Sequence, residues 1–187
     1  MTELEKYLSK IVNFDKQELD EINNLTKTLT VDKDDFFQKE GQICYRIGFL
    51  IEGAMEMTFV DENLEEHILE FIFPNSFVTD YVSFLTKSKS DCNIKAISKS
   101  RLVYFESDAI NKLYDKSLNF QKFGRLISEA YFIGFANRVK KTKLTPKQRY
   151  EILLKENPEY LQTIPQYKIA SYLGISAEWL SKVRGKK

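Results

Sequence analysis

The sequence predicts an α+β fold in which an N-terminal antiparallel β-roll or sandwich, with flanking helices, precedes an all-helical C-terminal part. Between residues 29 and 105, short apolar or alternating runs are separated by turn residues, as in antiparallel sheets. After residue 108, apolar residues recur at helical spacing. Hydrophobic residues make up 43% of the 187-residue chain, which is ample for a packed core.

Two helices are predicted before the first strand. Thr2 and Glu5 have the spacing of a capping box, in which two side chains satisfy free backbone N–H groups at a helix start. The first helix therefore covers Thr2 to Val12, and a second covers Lys16 to Leu25. The apolar residues that define the first helix are Leu4, Leu8, Ile11 and Val12.

Six stretches predict the strands of the roll. They are "LTV", "QICYRIGFLIEG", "AMEMTFV", "EEHILEFIF", "CNIKAIS" and "SRLVYFE". Gly53 and the segment Asp61 to Asn63 lie between such runs and predict hairpin connections. Residues 75–87, "NSFVTDYVSFLTK", interrupt the strand pattern and predict a short helix with flanking loops.

A long helix is predicted from Leu118 to Lys141, after a shorter one over Asp108 to Tyr114. One apolar stripe of the long helix contains Phe120, Phe123, Ile127, Ala130, Tyr131 and Gly134. Leu126, Ile133 and Phe135 lie outside this stripe, so the helix is apolar on more than one side. Such a helix needs two apolar neighbours, for which the roll and a second copy of the chain are candidates. A core helix of a monomer is the alternative.

The C-terminal part is set off by a helix start and by its charge. Thr145 has the spacing of an N-cap, Pro146 suits the first helical position, and Gln148 completes a capping box. Residues 137–187 hold 12 Lys and Arg against 4 Asp and Glu, a net charge of +8, and the preceding residues hold 16 against 23, a net charge of −7. A basic end on an acidic body indicates that the end binds a polyanion.

The stretch Gln166 to Lys187, "QYKIASYLGISAEWLSKVRGKK", has the pattern of two crossing helices joined by a tight turn. Ala170 is small where the helices cross, and Gly174 suits a left-handed turn position. Ser176 can cap the second helix. The apolar positions that such a unit buries are Ile169, Leu173, Ile175, Leu180 and Val183. The pattern predicts a helix-turn-helix that reads DNA, and a helical hairpin that merely packs is the alternative.

If the second helix enters the major groove, its N-terminal residues face the bases. Glu178 can accept from a cytosine amino group, Lys182 can donate to guanine, and Ala177 can contact a thymine methyl. The predicted base-reading residues are Ala177, Glu178, Ser181 and Lys182. The predicted phosphate contacts are Lys168, Ser176, Arg184, Lys186 and Lys187. Trp179 is expected to pack against the first helix of the pair, and a contact with the sugar-phosphate backbone is the alternative.

With a β-roll, a long helix and a C-terminal helix-turn-helix in this order, the sequence resembles the Crp/Fnr family of bacterial transcription regulators. "EGQICYRIGFLIEGAMEM" is similar to the family's roll strands, and residues 144–187 are similar to its smaller C-terminal domains. The resemblance implies a double-stranded β-helix (jelly roll) sensor domain over 1–115, a dimerisation helix over 116–143 and a DNA-binding domain over 144–187. It also implies a homodimer along the long helix, with Phe120, Phe123, Ile127, Tyr131 and Gly134 in the seam.

A palindromic duplex DNA target follows from the same resemblance, with RNA polymerase as a further candidate partner. The chain stops before the β-hairpin wing that larger relatives have, so the backbone contacts are expected from the basic tail and from Lys140 to Arg149. Enzymatic activity is not expected, because one histidine supplies neither a clustered metal site nor a catalytic triad. The alternative function is a ligand-sensing β-roll that acts through protein partners.

The family's cyclic-nucleotide-binding members use a Gly-Glu pair for the ribose and an Arg for the cyclic phosphate. The matching stretch, Phe73 to Ala96, contains no Gly, Glu or Arg, and Asp91 lies near the place of the Arg. Lys87 or Lys89 can replace the Arg, but we expect both to be exposed lysines that do not bind phosphate. We therefore expect no cyclic nucleotide in this cassette. The candidate residues of an effector pocket are Ser76, Thr79, Asp80 and Tyr81.

No cofactor or metal is expected. Cys44 and Cys92 cannot supply the four ligands of an iron–sulfur cluster, and His67 is the single histidine for a haem. No apolar run reaches the length of a membrane span, and the start "MTELEKYLSK" does not resemble a secretory signal. We expect reduced thiols and a cytoplasmic protein.

Overall fold

The computed structural model describes residues 1–156, 158 and 160–184, without the side chains of residues 160, 161, 183 and 184. Within these residues, eight strands form two four-stranded antiparallel sheets, with the orders β1-β8-β3-β6 and β2-β7-β4-β5. The strands are β1 (Lys27–Val31), β2 (Phe36–Gln38), β3 (Arg46–Glu52), β4 (Met55–Val60), β5 (Glu66–Ile72), β6 (Ser76–Val78), β7 (Cys92–Ala96) and β8 (Ser100–Glu106). The mixed α+β fold with an antiparallel roll is confirmed.

The core of the roll lies between the two sheets. Along β7, buried side chains alternate with less buried ones, as expected for a strand with one face on a core. Residues 48–50 of β3 are buried in a row, because Leu50 packs in the core of the roll and Phe49 packs in a second cluster on the other face. The buried cluster of the roll consists of Val31, Phe37, Leu50, Met55, Ile72, Val78, Ile94, Ala96 and Leu102. Gly53 joins β3 to β4 at φ 94°, and a Cβ there would lie 2.4 Å from Ser100 Oγ, so both the turn and its packing require glycine.

Two strands were not predicted. β2 and β6 each have three residues, too few to show an alternating pattern. They exist because longer neighbours provide hydrogen-bonding edges: β2 pairs with β7 and β6 pairs with β3. The prediction of loops on both sides of the short helix is therefore wrong for Ser76–Val78, which is a strand.

The helices are α1 (Glu3–Leu8), α2 (Lys16–Leu25), α3 (Tyr81–Thr86), α4 (Ser107–Lys116), α5 (Leu118–Thr142), α6 (Pro146–Glu156), α7 (Tyr160–Thr163), α8 (Gln166–Leu173) and α9 (Ala177–Arg184). Thr2 and Glu5 form the predicted capping box at the start of α1. The helix ends at Leu8 and not at Val12, because the Lys10 and Ile11 N–H groups turn to carbonyls three residues back. No described helix is both long and apolar enough to cross a bilayer.

The long helix α5 is the link between the roll and the C-terminal helices. Its N-terminal half packs on the roll, where Phe120 is 4% exposed. α5 ends at Thr142, and Thr145 caps the start of α6, accepting from Gln148 N at 3.3 Å. The predicted boundary at residues 143 and 144 falls in this short connection, and the division into three domains stays a prediction.

Candidate functional site

The pair α8 and α9 has the burial pattern that the sequence predicted. Ile169, Leu173 and Leu180 are between 0% and 2% exposed, and Ala170 is 2% exposed. Gly174 ends α8 in the left-handed conformation at φ 62°, and its N–H faces the carbonyls of the last turn of α8. Ile175 packs against the same cluster, whereas the side chain of Val183 lies outside the described residues. The two helices are therefore held against each other by a small shared core.

The N-terminal turn of α9 faces solvent. The predicted base-reading residues Ala177, Glu178, Ser181 and Lys182 are all exposed. Ser176 accepts from the backbone N–H of Trp179 at 3.2 Å, which is the N-cap expected of it. The pKa of Glu178 is lowered by its own backbone N–H and by the Ser176 hydroxyl, so this residue presents a charged acceptor at neutral pH.

Lys168 is not positioned as a phosphate contact in this structure. Its Nζ lies 2.6 and 2.7 Å from the two carboxylate oxygens of Glu56 on β4. The side chains of Glu56 and Lys168 are 2% and 16% exposed, so the pair is largely removed from water. Lys168 of α8 therefore faces the roll. The contact is expected, since a buried carboxylate requires a cation or several hydrogen-bond donors beside it.

α8 is fixed to the roll by apolar contacts as well. It lies against β5, and the rings of Tyr172 and Phe71 are 5.2 Å apart. The core of the C-terminal helices continues into the roll through Phe71, with Ile68, Phe73 and Ile97 packed against it. One hydrophobic cluster thus spans sheet and helices.

The other residues predicted to contact the DNA backbone differ in exposure. The side chain of Arg184 and the residues Lys186 and Lys187 lie outside the described part of the chain. Around the connection between α5 and α6, Lys140 at the end of α5, Lys143 after it and Lys147 at the start of α6 are exposed. Lys141 pairs with Glu156 at 2.5 Å, and Arg149 lies half-buried beside Gly174.

A cavity of about 450 Å³ lies between the roll and the helices α3, α4 and α5. Of the four predicted effector residues, Thr79 and Tyr81 line it. Ser76 instead pairs in β6 with Leu50, and Asp80 is 7% exposed, where it caps α3 by accepting from Ser83 N. The prediction thus finds one edge of the cavity.

At the position where cyclic-nucleotide-binding members have the phosphate-binding arginine, this chain has groups that do not favour an anion. Ser90 is buried and bonded to the backbone of Cys92, while Asp91 is exposed. Burial and the neighbouring Asp91 raise the pKa of the Cys92 thiol to about 12, so it stays protonated. Lys87 is exposed, donates to Ser107 Oγ at 2.6 Å and lies over the Phe84 ring, so it is directed away from this position.

The predicted seam residues of α5 separate along the helix. Phe120 and Phe123 pack in a second buried cluster, which α5 shares with α1, α2, α4 and the strands β3 and β8, and Ile127 lines the cavity. Tyr131 is 44% exposed, and Gly134 has open space around it. The apolar side chains of the C-terminal half that face solvent are Phe132, Ile133, Phe135 and Val139, which are 70%, 60%, 53% and 48% exposed.

His67 is engaged on the surface of the roll. Its Nε2 lies 2.8 Å from an Asp61 oxygen at the β4–β5 hairpin, and its ring stacks on Phe59. Asp61 also accepts from the backbone of Asn63 and Glu65. These contacts are those of a hairpin that fixes its own turn.

The sequence did not identify Glu56 or the helical side of the cavity. Glu56 stands between two methionines in "AMEMTFV", and a charged residue in such an apolar run is the signal that could have indicated a buried ion pair. The cavity walls contributed by α1, α2 and α4 carry no local signal, because only the fold brings them together.

Residues 28–117 match the family described as the cyclic nucleotide-binding domain. No curated protein matches the sequence significantly. Among solved structures, FixK2 from Bradyrhizobium japonicum has a TM-score of 0.69 at 14% identity, covering 86% of this chain and 83% of that one. The c-di-GMP responsive regulator CLP from Xanthomonas campestris has a TM-score of 0.65 at 15% identity, covering 92% and 91%.

A protein from Eubacterium rectale, described as a transcriptional regulator of the Crp/Fnr family, has a TM-score of 0.68 at 15% identity, covering 91% of this chain and 82% of that one. Identities this low show the fold alone. The family match confirms the resemblance for the roll, and the structures confirm that roll, long helix and C-terminal helices follow the layout of these regulators.

Proposed function

We propose that this chain, whose residues 28–117 belong to the cyclic nucleotide-binding domain family and whose fold is that of Crp/Fnr regulators, is a dimeric, sequence-specific DNA-binding transcription regulator. The observation that carries the proposal is the exposed N-terminal turn of α9, held by a buried core against α8. A helix presented in this way suits the major groove. The net charge of +8 over residues 137–187 suits the phosphate backbone.

Glu178 and Lys182 are the proposed main base-reading groups. Glu178 is a charged acceptor suited to a cytosine amino group, and Lys182 is an exposed donor suited to guanine. Ala177 and Ser181 complete the face. Phosphate contacts are proposed for the exposed lysines around the α5–α6 connection and for the basic residues at the C-terminus. They are Lys140, Lys143 and Lys147, and Arg184, Lys186 and Lys187. Lys168 is left out of this set because Glu56 holds it.

The dimer is proposed along the C-terminal half of α5. Four large apolar side chains, Phe132, Ile133, Phe135 and Val139, are about half or more exposed there, and a second copy of the same helix would cover them. The seam then begins further along the helix than the sequence predicted, because Phe120 and Phe123 pack on the roll. Two recognition helices related by a two-fold axis should lie about 34 Å apart.

The roll is proposed to sense a ligand other than a cyclic nucleotide, or to serve only as the scaffold of the dimer. A cyclic phosphate removed from water needs a cation, and the described residues at the corresponding position are Ser90, Asp91 and Cys92. A protein that reads chromosomal DNA in a bacterium acts in the cytoplasm, which is the proposed location.

Selection of bound sequences from random duplex DNA tests the proposal. A two-fold symmetric consensus with half-sites one helical turn apart supports both DNA reading and the dimer. Affinity for that consensus should fall steeply as salt rises, since each neutralised phosphate releases counterions. Sedimentation of the free protein should give twice the chain mass. No enrichment of any sequence at low salt would contradict DNA reading and favour a module that acts on protein partners.

A further inference from the structure

The cavity between the roll and α5 has an apolar wall to which both strands and helices of the N-terminal part contribute. Residues of both N-terminal helices, of the roll strands and of α3, α4 and α5 contribute to it. Its apolar lining includes Leu8, Ile47, Ile72, Phe105, Leu113 and Ile127. At about 450 Å³ its volume falls in the usual range of small-molecule sites, about 300–1,000 Å³.

Several of the polar side chains around the cavity are bonded to the protein itself. The Tyr81 hydroxyl meets Ser128 Oγ at 2.8 Å, and Ser128 in turn donates to the Gly124 carbonyl at 2.8 Å. Thr79 donates to the Arg46 carbonyl at 3.1 Å. These groups are therefore engaged, and apart from the Asn111 amide and the Tyr114 and Tyr131 hydroxyls the wall presents mainly hydrocarbon and aromatic surface to a ligand.

The charges at the cavity are paired and face solvent. Among the described lining residues, Arg125 is the one cation, and it is 60% exposed and held by Glu129 at 2.5 Å. Glu70 is 42% exposed and held by Arg138 at 3.1 Å. Burial raises the pKa of the Tyr131 phenol, so the aromatic wall stays uncharged. An anionic ligand would lose its hydration without gaining a buried counter-charge.

We propose that this cavity binds an uncharged, predominantly apolar small molecule, and that such a ligand is the effector of the sensor part. Burial of apolar ligand surface against these side chains supplies the binding energy. The binding itself does not depend on the proposed function, whereas the role as effector rests on it. α5 forms one wall of the cavity and leads to the C-terminal helices, so a bound ligand contacts the helix that connects the sensor part to α9.

The uncharged probe N-phenyl-1-naphthylamine, titrated into the intact chain, tests the binding. We expect saturable fluorescence enhancement with one probe per chain. Ser128→Phe and Ile127→Phe both add volume at the cavity wall and should each weaken binding by about tenfold or more. Ser171→Phe is the matched control, because it makes the same change at an exposed helical position outside the lining. Thermal unfolding of each variant checks that it is folded.

Two outcomes would overturn the proposal: no saturable probe binding by the folded wild-type protein, or equal binding by the wild type and both cavity-filling variants. Displacement of the probe by a 3′,5′-cyclic nucleotide would also overturn it, since the site would then accept an anion. DNA affinity is measured separately, with and without the probe. A protein that binds probe but no duplex retains the cavity site and loses the proposed function, so the two failures are distinguished.

Discussion

The helices α8 and α9 have eight residues each and share one core, yet their outer faces meet opposite surroundings. α8 lies on the roll, with Tyr172 against Phe71 and Lys168 paired to Glu56. α9 leaves Glu178, Ser181 and Lys182 in solvent. The comparison shows how one helix can stay exposed while its neighbour fixes its position relative to the roll; under the proposed function, the exposed helix is the one that reads DNA.

The difference also separates two kinds of basic residue. Lys168 and Lys182 lie fourteen positions apart on adjacent helices, but one is buried against a carboxylate and the other is exposed. Substitutions on the α8 side are therefore expected to change stability and positioning. Substitutions on the α9 face should change sequence preference and leave the fold intact.

The largest expected effect is the loss of the buried ion pair. Lys168→Met leaves the Glu56 carboxylate buried without its cation and should lower the free energy of unfolding by about 4 kcal/mol. Urea denaturation gives this value. The double variant Glu56→Leu/Lys168→Met is the control, and it should recover most of the loss because no unpaired charge remains. A single variant as stable as the wild type would show that the pair does not hold α8 to the roll.

Removal of side chain from the shared core should have the next largest effect. Leu180 is 0% exposed, and Leu180→Ala should lower the free energy of unfolding by about 3 kcal/mol, since it leaves a cavity between α8 and α9. Ser181→Ala, one residue on but exposed, should stay within about 0.5 kcal/mol of the wild type. Equal values for the two in urea unfolding would contradict the division into a buried and an exposed side of α9.

The turn between the two helices should respond to a single methyl group. Gly174→Ala forces a Cβ into the left-handed region and should cost about 1 kcal/mol, although the nearest atom to that Cβ would be 3.9 Å away. Gly134→Ala is the opposite case, because Gly134 lies inside α5 with open space around it. That change should stabilise the single chain by about 0.5–1 kcal/mol, as thermal unfolding can measure at a protein concentration low enough to dissociate the proposed dimer. The same sign at both positions would refute the assignment of strain to the turn.

The smallest effect on stability is expected on the reading face. Lys182→Ala should change the free energy of unfolding by no more than about 0.5 kcal/mol. It should relax base preference at one position of each half-site in a duplex selection. Lys112→Ala, an exposed lysine of α4, should change neither quantity. A loss of affinity that is uniform across sequences would make Lys182 a phosphate contact instead of a base-reading residue.

Local patterns predicted much of this structure. The bounds of α2, the capping box of Thr2 and the buried positions of α8 follow from spacing alone, because capping and helix burial depend on residues a few positions apart. β2 and β6 escaped prediction because three residues show no period, and only their long partners define them. Their presence is a property of the assembled sheet.

The candidate site divides in the same way. The exposed residues of α9 were predicted, since the pattern of the two helices determines which positions remain outside. The position of Lys168 was not, because its partner Glu56 lies 112 positions away in sequence. For α5, the sequence indicated two apolar neighbours around the helix. The structure shows one of them, the roll, at Phe120, and leaves large apolar side chains from Phe132 onward in solvent.

The hydrophobic cluster that joins β5 to α6 and α8 has a consequence for how the molecule comes apart. Phe71 of the sheet and Leu153, Ile169 and Leu173 of the helices are between 0% and 4% exposed within one cluster. Neither the sheet nor the helices can unfold without exposing the other's part of this cluster. Heat should therefore unfold the sheet and the C-terminal helices in one cooperative transition. A fragment of residues 144–187 on its own would expose its part of this cluster to water. Its thermal unfolding should be broad and should occur at a lower temperature than that of the full chain.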